Sequence, residues 1–300
     1  VVLPTADQKS GACKATFLLL VLTAERKNMN SFMSWVGGKK NLRDEVLARF
    51  PPYYERYIEV FGGAGWVLFH KPPGMDFEVW NDYNGNLTNL YRCVRDKPNK
   101  LKYKLRYVLN SREDFDRIAL LHKRGIFEKL CDADRASKFY QLIRYSYASG
   151  LDSFGSQPHS MWSDFPMIDL AARRLQKVVI ENKDFEKLIR QYDRPVSFFY
   201  CDPPYFATEN YYKDVGFTAK DHIRLRDALL DIKGRFLVSY NDCPEIREIW
   251  HKPNIHIEEI SRLNNLAQRY DGGCQYAELL ISNYDTSERA KAIKQLSLFD

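Results

Sequence analysis

The chain has no C-x-x-C pair. Its six cysteines (Cys13, Cys93, Cys131, Cys201, Cys243 and Cys274) are scattered, and no histidine clusters at ligand spacing. This argues against a disulfide framework and a structural zinc site, and it leads one to expect a reducing, cytoplasmic compartment. Long apolar runs are also missing. The longest, Ala15 to Ala24 within "KATFLLLVLTAER", holds ten residues, whereas a membrane-spanning helix needs roughly 20. No small-x-small cleavage site follows it before Glu25 and Arg26, so it makes a poor secretory leader. Residues 1–28 read as an upstream extension outside the fold. No internal repeat or low-complexity tract appears.

Two nucleotide signatures are incomplete. "GGKK" at 37–40 is not a P-loop, because Met33 stands where the first glycine belongs and no Ser or Thr follows the lysine. In "EVFGGAGWV" (59–67) Leu68 replaces the third glycine of a dinucleotide fingerprint. A nucleotide hydrolase and a nicotinamide enzyme are both disfavoured.

What remains is an ordinary globular composition, 45% hydrophobic and 28% charged over 300 residues, enough for one elaborated domain or two modest ones. Apolar, β-branched runs bounded by turn residues predict seven strands, at 57–61, 77–80, 177–181, 196–201, 235–240, 255–260 and 276–284. Helical segments fall at about 85–95, 184–192 and 219–232, the last opened by a capping-box pattern at Thr218 and Asp221. Alternation of this kind predicts a mainly parallel α/β sheet with helices on both faces. The last two strands have no room for a helix between them and are expected to pair antiparallel. Residues 92–170 interrupt the alternation, reading as an inserted, smaller and mostly helical domain that loosens after Tyr147. Between Arg92 and Arg144 there are 15 Lys and Arg against 7 Asp and Glu, so the net charge of +6 is concentrated there. Such a segment suits either a nucleic-acid contact or a solvated helical face.

"FFYCDPPYF" (198–206) ends a buried strand at a carboxylate and two prolines. The prolines fix φ, offer no N–H and hold the preceding residues extended. The corner therefore presents acceptors, the Asp202 carboxylate and the Pro203 and Pro204 carbonyls, beside the flat face of Tyr205. That is a socket for a planar hydrogen donor, although an isolated P-P is more often only a loop. Glycines 62, 63 and 65 allow close backbone approach, and Asp82 in "VWNDYN" is placed either to grip ribose hydroxyls or to cap a helix. With "SWVGGK" (34–39) and "NKDF" (182–185), these residues would converge at the carboxyl edge of a parallel sheet.

In the order W-x-G-G-K, E-x-F-x-G-x-G, N-D-x-N, basic insert and D-P-P-Y, the chain resembles the Dam-like, α-class adenine-specific DNA methyltransferases, from about Phe32 to Tyr284. The resemblance implies a Rossmann-like sheet with an inserted target-recognition domain at 92–170, between catalytic segments 29–91 and 171–288. It implies S-adenosylmethionine as cofactor, held by Trp35, Gly37, Lys39, Glu59, Phe61, Gly62, Gly63, Gly65, Asp82, Asp184 and Phe185. It makes Asp202, Pro203, Pro204 and Tyr205 the catalytic corner, which would accept the two hydrogens of an adenine amino group flipped out of duplex DNA. Arg144, Tyr145 and Ser146 would contact DNA. Ser146 stands where GATC readers of the family carry Asn, so the recognised sequence, and a restriction or prophage role, stay open. The tail 289–300 contains Gln295, Leu296, Leu298 and Phe299, which match the peptide that docks many replication proteins on the bacterial sliding clamp. An RNA acceptor is the alternative enzyme reading, and a catalytically vestigial DNA-binding protein is the alternative outside enzymes.

Overall fold

A computed structural model describes residues 29–35, 37–74, 76–207, 216–263 and 275–296. The expected extension 1–28, together with Tyr211, Tyr212, Leu298 and Phe299, lies outside the described residues.

All seven strands form, within a few residues of their expected places: β1 (Arg56–Glu59), β2 (Phe77–Asn81), β3 (Val178–Glu181), β4 (Ser197–Cys201), β5 (Arg235–Asn241), β6 (His256–Leu263) and β7 (Gln275–Ser282). They make one sheet in the order β3-β2-β1-β4-β5-β7-β6. The first five strands are parallel, and β7 runs antiparallel to both β5 and β6. Seven-residue β5 is buried from Phe236 to Tyr240, and β4 is buried along its whole length. Strands covered on both faces read as unbroken apolar runs, which is why they could be located in the sequence.

Alternation along β1 and β4 divides the core. Tyr57, Phe198 and Tyr200 join one apolar cluster, and Ile58, Phe199 and Cys201 join the other. The first cluster is covered by α1 (Arg43–Ala48), α2 (Trp66–His70) and the helices between β2 and β3. Those helices are α3 (Gly85–Asp96), α4 (Pro98–Leu105), α5 (Arg112–Lys123), α6 (Asp132–Tyr145) and α7 (Phe165–Leu175). Helix α3 runs unbroken through Arg92 and packs on α6 and α7, so the basic helices share the core of the sheet. The second cluster is covered by α8 (Phe185–Tyr192), α9 (Ala219–Leu230) and α10 (Pro244–Trp250), and α11 (Glu288–Leu296) follows β7. The expected capping box at Thr218 and Asp221 forms and starts α9.

Strand order reverses between β1 and β4, since β2 and β3 are added on one side and β5 on the other. Crevices at such a reversal, beyond the carboxyl ends of the strands, are where open α/β sheets bind ligands. The loop after β1 and the corner after β4 both start there.

Candidate active site

One cavity of about 1260 Å³ opens at this reversal. Trp35, Gly37, Lys39, Glu59, Phe61, Gly62, Gly63, Asp82, Asp184, Phe185, Asp202 and Pro204 all reach its wall. Gly65, Pro203 and Tyr205 do not line it. Gly65 instead closes the turn behind Gly62 through a 2.7 Å backbone bond.

The glycine loop is shaped by its own neighbours. A Cβ on Gly62 would meet the Trp80 indole nitrogen at 2.1 Å, so the indole already fills the space that glycine leaves. Gly63 has φ of +49°, a left-handed conformation that L side chains rarely adopt. Its N–H donates to Asp82 Oδ2 at 2.9 Å, and the Asn84 N–H donates to Oδ1 at 2.8 Å. Asp82 thus joins the loops after β1 and β2. Burial pushes its carboxyl up to about 6, against those two backbone donors. Asn84, rather than Asp82, caps α3.

Three phenylalanine rings, Phe61, Phe185 and Phe217, stand 5.6–5.9 Å apart at the end of the cavity nearest α8. Asp184 caps α8 by accepting from Glu186 and Lys187 N–H groups, and its other oxygen is held by Arg224. The Arg224 guanidinium also lies 4.2 Å from the Phe185 ring centroid. Neither Phe217 nor Arg224 was marked by any sequence motif.

At the corner, Asp202 Oδ1 is held by the Lys39 ammonium and by the Ser239 hydroxyl, the latter at 3.2 Å. Ser239 in turn pairs with the Tyr200 hydroxyl at 3.2 Å. Burial raises the Asp202 carboxyl above its ordinary value, the Lys39 charge opposes this, and nearby Glu278 adds to it. Lys39 is only 4% exposed and also lies 4.6 Å from the Tyr205 ring centroid. Glu59 is buried beside this group and is pushed up to about 8 by desolvation, although Tyr57 donates to it at 2.6 Å. Cys201 is fully buried, and burial raises its thiol well above the usual range; it is packing, as its sequence context suggested.

This set of features can hold a large, partly aromatic ligand beside a carboxylate acceptor. Residues 35–265 match the family model described as D12 class N6 adenine-specific DNA methyltransferase. The chain belongs to that family. It is 28% identical over 286 residues to the type II methyltransferase M1.LlaDCHI of Lactococcus lactis subsp. cremoris, covering 88% of this chain and 99% of the relative. It is 28% identical over 261 residues to a DNA adenine methylase of Escherichia coli (79% and 89% covered), and 26% identical over 241 residues to one of Haemophilus influenzae (73% and 82% covered). A D12 class enzyme methylates adenine N6 in DNA, and the family implies S-adenosylmethionine as methyl donor.

The expected DNA-contacting residues of this methyltransferase sit at the end of α6. Arg144 binds Asp164 through two hydrogen bonds of 2.9 Å and also reaches His159, while Tyr145 and Ser146 are buried. The exposed side chain of this stretch is Tyr147, at 60%. It begins a loop in which Ala148, Ser149 and Leu151 hold φ of 49°, 59° and 66°. These are non-glycine residues in the left-handed region, each costing on the order of 1–2 kcal/mol. Ser149, Gly150, Leu151 and Asp152 line the cavity, and the Ser149 hydroxyl pairs with Ser34 at 2.7 Å, one residue from Trp35. Four cysteines among the described residues are free thiols. Among the described residues, no helix is long and apolar enough to cross a membrane, and no His, Cys, Asp and Glu group has metal-site geometry.

Proposed function

We propose that the chain transfers the methyl group of S-adenosylmethionine to the N6 of an adenine rotated out of duplex DNA, within the cavity between the loops after β1 and β4. One observation carries the reading: the glycine loop, Asp82, the phenylalanine cluster and Asp202 open into the same cavity. The cofactor supplies an electrophilic methyl group on a sulfonium.

The residues present suit it. Asp82 faces the cavity with lone pairs left for ribose hydroxyls, and Phe61, Phe185 and Phe217 form an apolar slot for a purine. The Gly62–Gly63 backbone and Trp35 border the methionine part, together with Gly37 and buried Glu59. Asp184 orders the start of α8 beside the purine slot. On the acceptor side, the Asp202 carboxylate and the Pro203 carbonyl take the two amino hydrogens. The nitrogen lone pair, otherwise delocalised into the ring, is thereby freed to attack. Pro204 lines the cavity and keeps that corner rigid, while Tyr205, which the resemblance made a stacking face, lies behind the cavity wall and braces the corner; extruding the base costs a few kcal/mol.

The helices and loop of residues 92–170 form the DNA-binding side in this reading. Arg144, Tyr145 and Ser146 position the loop, and exposed Tyr147 and the unpaired basic groups reach the polymer. Gln295, Leu296, Leu298 and Phe299 are read as a tether to the bacterial sliding clamp, and the cytoplasm is the expected site of action. Deleting residues 295–300 should abolish clamp capture, and equal capture would remove that part.

The test of the main reading is transfer of tritiated methyl groups to duplex DNA, RNA and no acceptor, with Asp202→Ala in parallel. Label in DNA that disappears in the variant is expected. Preferential label in RNA would favour the alternative acceptor, and undiminished transfer by the variant would refute the role of Asp202.

A further inference from the structure

Behind the Asp202–Tyr205 corner stands a carboxylate that no motif marks. Glu278 lies on β7, the strand that runs against its neighbours. Its early residues therefore reach the edge at which the parallel strands end, and the register sets Glu278 opposite Asn241 of β5 and Ile260 of β6. It is 1% exposed, in a strand whose following residues Leu279, Leu280 and Ile281 are fully buried and apolar. An ionisable group in such a position costs several kcal/mol unless it is hydrogen-bonded. Its Oε2 accepts from the Tyr205 hydroxyl at 2.7 Å.

The same ring is approached by the Lys39 ammonium, 4.6 Å from its centroid, and Lys39 also donates to Asp202. Tyr205 is thus restrained at its tip by β7 and at its face by Lys39, which precedes α1. Its backbone continues directly from Pro203 and Pro204. Restraining the tip therefore fixes the direction in which the corner presents the Asp202 carboxylate and the Pro203 carbonyl. A misplacement of about 1 Å at such acceptors can cost on the order of a hundredfold in rate.

We propose that Glu278 is a positioning residue for methyl transfer, acting through the Tyr205 hydroxyl to hold the acceptor corner in register with the cavity. This rests on the assignment of that corner as the adenine site. The test compares Glu278→Leu, Glu278→Gln, Tyr205→Phe and the double variant Glu278→Leu/Tyr205→Phe, with cofactor affinity measured by calorimetry and kcat and KM by methyl transfer. Glu278→Leu and Tyr205→Phe should each lower kcat about three- to tenfold, the range one net hydrogen bond supports. KM for DNA and cofactor affinity should stay near wild type, and the double variant should be no slower than either single. Glu278→Gln keeps an acceptor for the hydroxyl and should restore most of the rate.

Wild-type kcat in both single variants overturns the proposal. So does a double variant whose losses multiply, and so does Glu278→Gln falling as far as Glu278→Leu. If Glu278→Leu does not fold, Tyr205→Phe decides alone, and an unchanged kcat there overturns it. Asp202→Ala separates the two levels: transfer surviving in that variant sinks the corner assignment itself. An inactive Asp202→Ala beside unchanged Tyr205→Phe and Glu278→Leu sinks only the role of Glu278.

Discussion

Lys39 and Asp202, 163 positions apart in sequence, form a buried ion pair at the carboxyl edge of the sheet. The family resemblance implies different roles for them, one toward the cofactor and one toward the base. Their pairing makes the lysine the counter-charge that opposes the desolvation of the Asp202 carboxylate.

Replacing that lysine should therefore move the pH dependence. Burial raises the Asp202 carboxyl and Lys39 lowers it, so Lys39→Gln raises it further and a smaller fraction is ionised at neutral pH. The acidic limb of the kcat profile should shift to higher pH, with lost rate partly recovered in alkaline buffer. An unmoved limb would show that another group keeps Asp202 charged.

Glu59 gives a stability signature of opposite sign to most carboxylates. Its value in the fold is raised to about 8 from an ordinary 4.5, so between those values the folded state holds a proton that the unfolded state has released. Stability from this group is complete below about pH 4.5 and is lost as pH rises through 8, on the order of a few kcal/mol. Glu59→Gln should flatten that fall. Thermal melts from pH 5 to 9 that decline in parallel for both proteins would contradict it.

Gly62→Ala should cost stability before it costs anything at the ligand. The added methyl would sit 2.1 Å from the Trp80 indole nitrogen, and overpacking of this kind costs about 1–3 kcal/mol. Urea unfolding should show the loss. Trimming the indole in Gly62→Ala/Trp80→Phe should relieve part of the clash, and no relief would show that the indole is not what the methyl meets.

The end of α6 offers a contrast between structure and contact. Asp164→Asn removes one of the two acceptor oxygens that hold Arg144, together with the charge, and should destabilise the fold by about 1–3 kcal/mol. Tyr147→Ala, at an exposed position, should leave the melting temperature unchanged and weaken DNA binding. Binding titrations beside melts distinguish them, and a Tyr147→Ala protein with normal DNA affinity would remove that residue from the interface.

Legibility in the sequence followed the range of the interaction. Central strands such as β4 and β5 could be read because they are covered on both faces, edge strands such as β6 because β-branched residues lie between turn signals, and the D-P-P-Y corner because proline stiffness is local. The long-range partners were invisible: Ser239 reaches Asp202 from 37 positions away, Arg224 reaches Asp184 from 40, and Glu278 reaches Tyr205 from 73. Only the isolated charge in "YAELLIS" hinted at the last of these. Motif reading also gave Gly62 to the ligand alone, whereas the structure adds an indole that occupies its missing side chain.

The placement of β7 between β5 and β6 has a consequence during synthesis. A chain still on the ribosome can already own the glycine loop, Asp82 and Asp202, yet β5 has a bare edge until the final strands emerge and slot in. Nascent copies are thus born incomplete and sticky along that edge, so a premature stop before Gln275 should yield aggregates in the cell rather than a weakly active enzyme.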